Sequence, residues 1–149
     1  MRTLVVDLDH SLIRTDMLHE SFWSAFRSNQ LSFFRLLVAL IQGGRPGVKS
    51  YLTQNSSVDI STLPYNKKVI TYIKDWRKKG GYTALVSATD KRYVDAIASH
   101  LQLFDDVFGS NKGVNLKGSI KADFLNNQYG IGEYDYIGDS LDDLPVWQG

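Results

Sequence analysis

Thr3 to Val6 is a short apolar, partly β-branched run that stops at Asp7, the pattern of a strand buried on both faces of a parallel sheet. From about Asp16 to Gln42 the period turns helical. Leu18, Phe22, Ala25 and Phe26 fall on one face, and a second apolar stretch follows Ser28-Asn29-Gln30 until Gly43-Gly44-Arg45-Pro46-Gly47 breaks it. Val48 to Leu63 mixes helical and polar character, with Gln54-Asn55-Ser56-Ser57 reading as loop. Pro64 suits a first helical position, and Tyr65, Val69, Tyr72, Ile73 and Trp76 form a stripe that Gly80-Gly81 ends. Tyr82 to Val86 predicts a second buried strand, ending at Ser87. An amphipathic helix follows at Lys91 to Leu101, with Val94, Ile97, Ala98 and Leu101 inward. Asp106 to Phe108 predicts a short third strand, Ser119 to Gln128 a helix, and Tyr134 to Ile137 a fourth strand running into Gly138-Asp139.

Strands alternating with helices predict an α/β fold with a parallel sheet and right-handed crossovers. Residues 1–13 and 64–149 make up the expected α/β core, and residues 14–63 a helical insertion between the first strand and the rest. Asp7, Ser87 and Asp139 all follow the carboxyl ends of predicted strands, where open α/β sheets bind ligands.

Composition narrows the partners. The chain has 149 residues, 43% hydrophobic and 22% charged, as in an ordinary globular domain. Its 17 basic and 16 acidic residues leave a formal charge of +1, which provides no field to recruit nucleic acid. With no cysteine there is no disulfide, zinc thiolate or thiol nucleophile, and the composition is compatible with the cytoplasm. The start of the chain does not read as a signal peptide. Leu31 to Ile41, interrupted by Arg35, falls short of the roughly 20 residues that span a bilayer.

Asp7-Leu8-Asp9-His10-Ser11 places two carboxylates one residue apart beyond a buried strand. A carboxylate has a reference pKa of about 4, so Asp7 can attack phosphorus without a general base. Asp9 could protonate the departing oxygen and then deprotonate the attacking water. In Gly138-Asp139-Ser140-Leu141-Asp142-Asp143, Asp139 beside Asp7 would give magnesium the carboxylates it prefers, with Asp143 supporting Asp139 from behind. The Ser87 hydroxyl and the amides that follow it, beginning with Ala88, could hold phosphoryl oxygens. Lys117, in Asn115-Leu116-Lys117-Gly118, could neutralise charge on Asp7 and on the phosphoryl group, and Lys121, one helical turn on, is the competing candidate.

Taken in order, Asp7-Leu8-Asp9-His10-Ser11, Ser87, Lys117 and Gly138-Asp139 through Asp143 resemble the four motifs of the haloacid dehalogenase-like (HAD) superfamily. That resemblance implies a Rossmann-like core with strand order 3-2-1-4, and an inserted cap that closes over small substrates. It further implies a magnesium-dependent phosphatase with Asp7 as nucleophile, Asp9 as general acid/base, Ser87 as phosphate-binding hydroxyl and Lys117 as stabilising cation. Asp7, the Asp9 backbone oxygen and Asp139 would hold the metal. Carboxylate at position 9 is similar to the phosphatase and phosphomutase branches rather than the dehalogenases. His10 stands where the motif often has Gly. HAD cores usually add another strand and helix after the fourth motif, so the chain, ending at Gly149, is expected to lack the last strand.

Leu12-Ile13-Arg14-Thr15-Asp16, Leu63-Pro64-Tyr65-Asn66, Asn115 through Gly118, Gly138-Asp139-Ser140 and Asp143-Leu144-Pro145-Val146-Trp147 resemble, more narrowly, the amino-terminal hydrolase-like domain that precedes a UbiA-type polyprenyl transferase. This implies a small phosphorylated substrate, prenyl- or sugar-linked, and a fused membrane transferase that would hold the domain at the inner membrane face. Phe22, Trp23, Phe26, Phe33 and Phe34 make the insertion aromatic, as a core helix or an apolar-substrate pocket would be. A non-catalytic phosphate-binding domain that regulates such a transferase is the alternative.

Overall fold

The computed structural model describes residues 2–28, 38, 41, 58–111, 115–139 and 141–147. Contacts divide the chain into two compact units, Met1–Arg14 with Ile60–Gly149, and Thr15–Asp59. The first unit carries four strands: β1 (Thr3–Val6), β2 (Thr83–Asp90), β3 (Asp106–Ser110) and β4 (Tyr134–Ile137). They form one parallel sheet in the order β3-β2-β1-β4, the α/β class and strand order expected from sequence. Val6 pairs with both Leu85 and Ile137, so β1 and β4 end level at one edge, while β2 runs on beyond them to Asp90.

Among the described residues the helices are α1 (Met17–Ser28) in the second unit, and α2 (Lys67–Lys78), α3 (Lys91–Leu101), α4 (Ser119–Tyr129) and the short α5 (Leu144–Trp147) in the first. α2 begins later than Pro64 suggests. The Pro64 carbonyl accepts the Arg14 amide and Tyr65 bridges Ile13, so the chain is still extended there. Asn66 is the true cap, its side chain accepting from the Lys68 amide. Asp90 does the same for α3 through the Arg92 amide, and α3 has the bounds read from sequence.

The two central strands, β1 and β2, are buried on both faces, as in a parallel sheet covered by helices, and the edge strands β3 and β4 are mostly half-buried. Val5, Ala84 and Val86 point into a core with Leu116, Ala122, Leu125, Tyr134 and Val146, while the intervening Leu4, Val6 and Leu85 are equally buried. In the second unit, Asp16 accepts the His19 amide at the start of α1, and the Trp23 indole donates to the His19 ring. The remainder of the expected helical insertion, including Phe33 and Phe34, lies outside the described residues. Among the described residues, no helix is long and apolar enough to cross a membrane.

Candidate active site

The ends of β1 and β4 and the extension of β2 bring the candidate residues to one edge of the sheet. β1 delivers Asp7, whose amide donates to the Ile137 carbonyl at 2.8 Å, continuing the β1–β4 ladder by one residue. The chain then winds into a wide turn over Leu8–Leu12, closed by the Leu12 amide on the Asp7 carbonyl and the Ile13 amide on the Leu8 carbonyl. This turn requires φ of +58° at His10, the left-handed region. A glycine would adopt it without strain; His10 does so with its side chain exposed.

Asp7 is 6% exposed, and its Oδ1 accepts from the Lys121 ammonium at 3.0 Å. Lys121 is 4% exposed and also donates to Asp143 Oδ1 at 3.0 Å and to the Tyr136 hydroxyl at 2.9 Å. Those three acceptors match the three protons of an ammonium. The Tyr136 hydroxyl in turn donates to Asp143 Oδ1 at 2.7 Å, which closes a ring of Lys121, Tyr136 and Asp143. Burial pushes the Tyr136 hydroxyl well above its ordinary pKa, as do the charges on Asp7 and Asp143, so it remains a donor.

Burial is also the largest influence on Asp7 and raises its carboxyl. The charge and hydrogen bond of Lys121 pull it back, Asp143 and Asp9 push it up, and it comes to about 6. Asp7 is therefore mostly ionised at neutral pH, the form in which a carboxylate can attack phosphorus.

The lysine at Asp7 is thus Lys121, and the placing of Lys117 there is corrected. Lys117 lies before α4, ahead of Gly118 at φ +58°, and is exposed. Lys121 sits in the first turn of α4 on the same inward face as Ala122 and Leu125. That face was the available signal: a lysine sharing a helical stripe with buried apolar residues is directed inward. Asp143, expected behind Asp139, accepts from Lys121 and Tyr136. Tyr136 went unnoticed because it reads as an ordinary strand aromatic.

Asp9 is held from the neighbouring strand: the Thr89 hydroxyl donates to its Oδ2 at 2.7 Å. β2 runs past Ser87, where the expected strand ends, through an irregularity in its register with β3 between Ser87 and Asp90. Ser87 is fully buried, and its Oγ accepts the Thr89 amide at 3.0 Å, which leaves the hydroxyl proton to donate elsewhere. Ala88 lies between them. Thr89 was also missed from sequence, since a threonine two residues beyond a predicted strand end carries no motif.

Asp139 is exposed, two residues beyond Ile137 and next to the end of β1. Gly138 before it has no room for a side chain, since an added Cβ would lie 2.5 Å from both Asp143 Oδ2 and Tyr136 Cε1. Among the described residues no group of three or more His, Cys, Asp or Glu side chains gathers to hold a metal. Two carboxylates at adjacent strand ends, Asp7 and Asp139, with the Asp9 carbonyl nearby in the chain, are a smaller oxygen set. Such a set fits magnesium, which takes one or two carboxylates and keeps several waters. Among the described residues, Asp7, Asp9 and Asp143 also outnumber the one buried cation beside them, Lys121, so added positive charge would be favoured there.

Comparison with known proteins bears on this arrangement. An uncharacterized protein of Sinorhizobium fredii, y4nM, is 37% identical over 145 residues, covering 97% of this chain and 28% of that protein, so the chain spans little more than a quarter of its relative. A protein of unknown function from Bordetella pertussis superposes with a TM-score of 0.67 at 18% identity, over 99% of this chain and 86% of the other. A substrate-bound phosphoserine phosphatase gives 0.63 at 15% identity, over 99% and 81%. A phosphoserine phosphatase carrying a phospho-aspartyl intermediate analogue gives 0.63 at 15%, over 99% and 82%. At these identities the solved structures establish the fold. The family model for haloacid dehalogenase-like hydrolases matches residues 18–148, most of the chain, and the chain belongs to that family.

Proposed function

We propose that this domain is a magnesium-dependent phosphatase that hydrolyses a phosphomonoester through an aspartyl-phosphate on Asp7. The observation that carries the reading is the buried Asp7 carboxylate at the end of β1, gripped through one oxygen by Lys121. The phospho-aspartyl analogue in a phosphatase of the same fold supports the same chemistry.

In this reading an Asp7 oxygen attacks phosphorus while Asp9 gives a proton to the departing alcohol. Asp9 then takes a proton from the water that cleaves the acyl phosphate, releasing inorganic phosphate and restoring Asp7. Lys121 neutralises charge beside Asp7, taking the role first assigned to Lys117, and Ser87 with the Ala88 amide binds phosphoryl oxygens. Asp7, the Asp9 carbonyl and Asp139 would hold magnesium, which supplies further positive charge to the transferring group.

For the substrate we propose a small phosphorylated molecule, with a prenyl-linked phosphate the class to test first. The support is the likeness of the chain's phrases to the domain fused to UbiA-type polyprenyl transferases, together with a relative long enough to hold a further domain. If such a fusion exists, the domain works at the cytoplasmic face of the membrane. Turnover of p-nitrophenyl phosphate with magnesium, lost on chelation and in Asp7→Asn, is the expected result. An active Asp7→Asn variant would refute the assignment. If the wild type instead bound phosphate without turning it over, a regulatory role would replace catalysis.

A further inference from the structure

The general acid/base assigned to Asp9 requires one carboxyl oxygen to face the leaving group with the proton on it. Asp9 sits in the irregular turn after β1, with extended dihedrals (φ −70°, ψ 130°) beside the left-handed His10. A direct contact to its carboxyl comes from β2. Thr89 is 8% exposed, its amide is tied to Ser87 Oγ at 3.0 Å, and its hydroxyl meets Asp9 Oδ2 at 2.7 Å. The register irregularity between Ser87 and Asp90 lies at this point of β2, a device that re-aims side chains at strand ends. The same stretch therefore carries the phosphate-binding hydroxyl of Ser87 and a donor fixed on the acid.

We propose that Thr89 is a positioning residue for Asp9, holding Oδ2 so that Oδ1 is the oxygen that exchanges the proton. This rests on the phosphatase reading. A hydroxyl that donates to Oδ2 keeps that oxygen an acceptor in both protonation states of the carboxyl, and the transferable proton then belongs to Oδ1. In the first step the bond from Asp7 to phosphorus forms and the bond from phosphorus to the leaving oxygen breaks. The proton of Oδ1 moves to that oxygen, leaving Asp9 ionised and still bonded to Thr89. In the second step a water oxygen bonds to phosphorus, the bond from Asp7 to phosphorus breaks to release inorganic phosphate, and Oδ1 takes the proton that the water loses.

This role has a signature that loss of packing lacks. A mispositioned acid hurts departure of a basic leaving group far more than departure of one stable as an anion. The test compares kcat/KM for phenyl phosphate and p-nitrophenyl phosphate in the wild type, Thr89→Val, Thr89→Ser and Asp9→Asn with magnesium present. Thr89→Val should lose about tenfold or more on phenyl phosphate and less than about threefold on p-nitrophenyl phosphate, with Asp9→Asn showing a steeper version of the same contrast. Thr89→Ser, which keeps the hydroxyl, should restore most of the phenyl phosphate activity. Equal losses on the two substrates, no loss, or failure of Thr89→Ser to recover would overturn the role of Thr89. If Thr89→Val does not fold, Thr89→Ala carries the comparison on the same criteria. A wild type inactive on both substrates, or an Asp9→Asn variant indifferent to the leaving group, would instead overturn the phosphatase reading and the Thr89 role with it.

Discussion

Lys121 is the most consequential single position in the site, and Lys121→Met tests it against Lys117→Met. Methionine keeps the apolar length of the side chain and removes the ammonium, so packing changes little. What disappears is a cation 4% exposed that bonds Asp7, Asp143 and Tyr136 at 2.9 to 3.0 Å. Removing one partner from a buried ion pair costs about 3–5 kcal/mol, because the remaining charge stays buried. Here two carboxylates are left. Part of the penalty is escaped by proton uptake at Asp7, whose carboxyl is no longer pulled down by Lys121. The folded variant then keeps the Asp7 proton to higher pH than the wild type does, so the deficit should widen as pH rises above about 6. Exposed Lys117 should change stability by less than about 0.5 kcal/mol. Urea unfolding of the metal-free protein measures both. Activity should fall about 10²-fold or more in Lys121→Met and little in Lys117→Met. A larger loss of stability and activity from Lys117→Met than from Lys121→Met would refute the placement.

Gly138→Ala pushes a methyl into Asp143 and Tyr136, both at 2.5 Å from the new Cβ, and should cost about 1–3 kcal/mol in urea unfolding with loss of activity. His10→Gly relieves the positive φ of an exposed residue but adds freedom to the unfolded chain, so a net gain below about 1 kcal/mol is expected from thermal unfolding. Burial pushes the Asp105 carboxyl up, but hydrogen bonds from Arg77 and Thr83 and the Arg77 charge more than offset it, leaving it below its ordinary value of 3.8. The stability this contributes is present above 3.8 and is lost as pH falls through the lower folded value. Wild type should therefore exceed Asp105→Asn in stability at neutral pH, and the gap should close in strong acid.

The sheet was readable because its strands are short apolar or aromatic runs that stop at polar or glycine residues: Thr3 to Val6 and Tyr134 to Ile137 match β1 and β4 residue for residue. Elements whose ends depend on distant partners were read less well. β2 continues from Val86 to Asp90, with Ala88 and Thr89 small or β-branched enough to extend it through a register irregularity. The start of α2 shifts to Asn66 because Arg14 and Ile13 hold Pro64 and Tyr65 extended. In the site, Asp7 and Ser87 were legible as polar residues ending apolar runs. Lys121, Tyr136 and Thr89 act through contacts made 114, 15 and 80 residues away along the chain, which local pattern does not encode. Lys121 stood in the sequence as the competing candidate one helical turn beyond Lys117, and its inward helical face favours it.

The central claim is that Asp7 becomes covalently phosphorylated during turnover. Acid quenching of the magnesium-loaded protein within one turnover of p-nitrophenyl phosphate, followed by peptide mass spectrometry, tests it directly. A phosphoryl group should appear on Asp7, decay as inorganic phosphate is released, and be absent from Asp7→Asn. Steady turnover with phosphate on another residue, or with no covalent intermediate and undiminished rate in Asp7→Asn, would contradict the account.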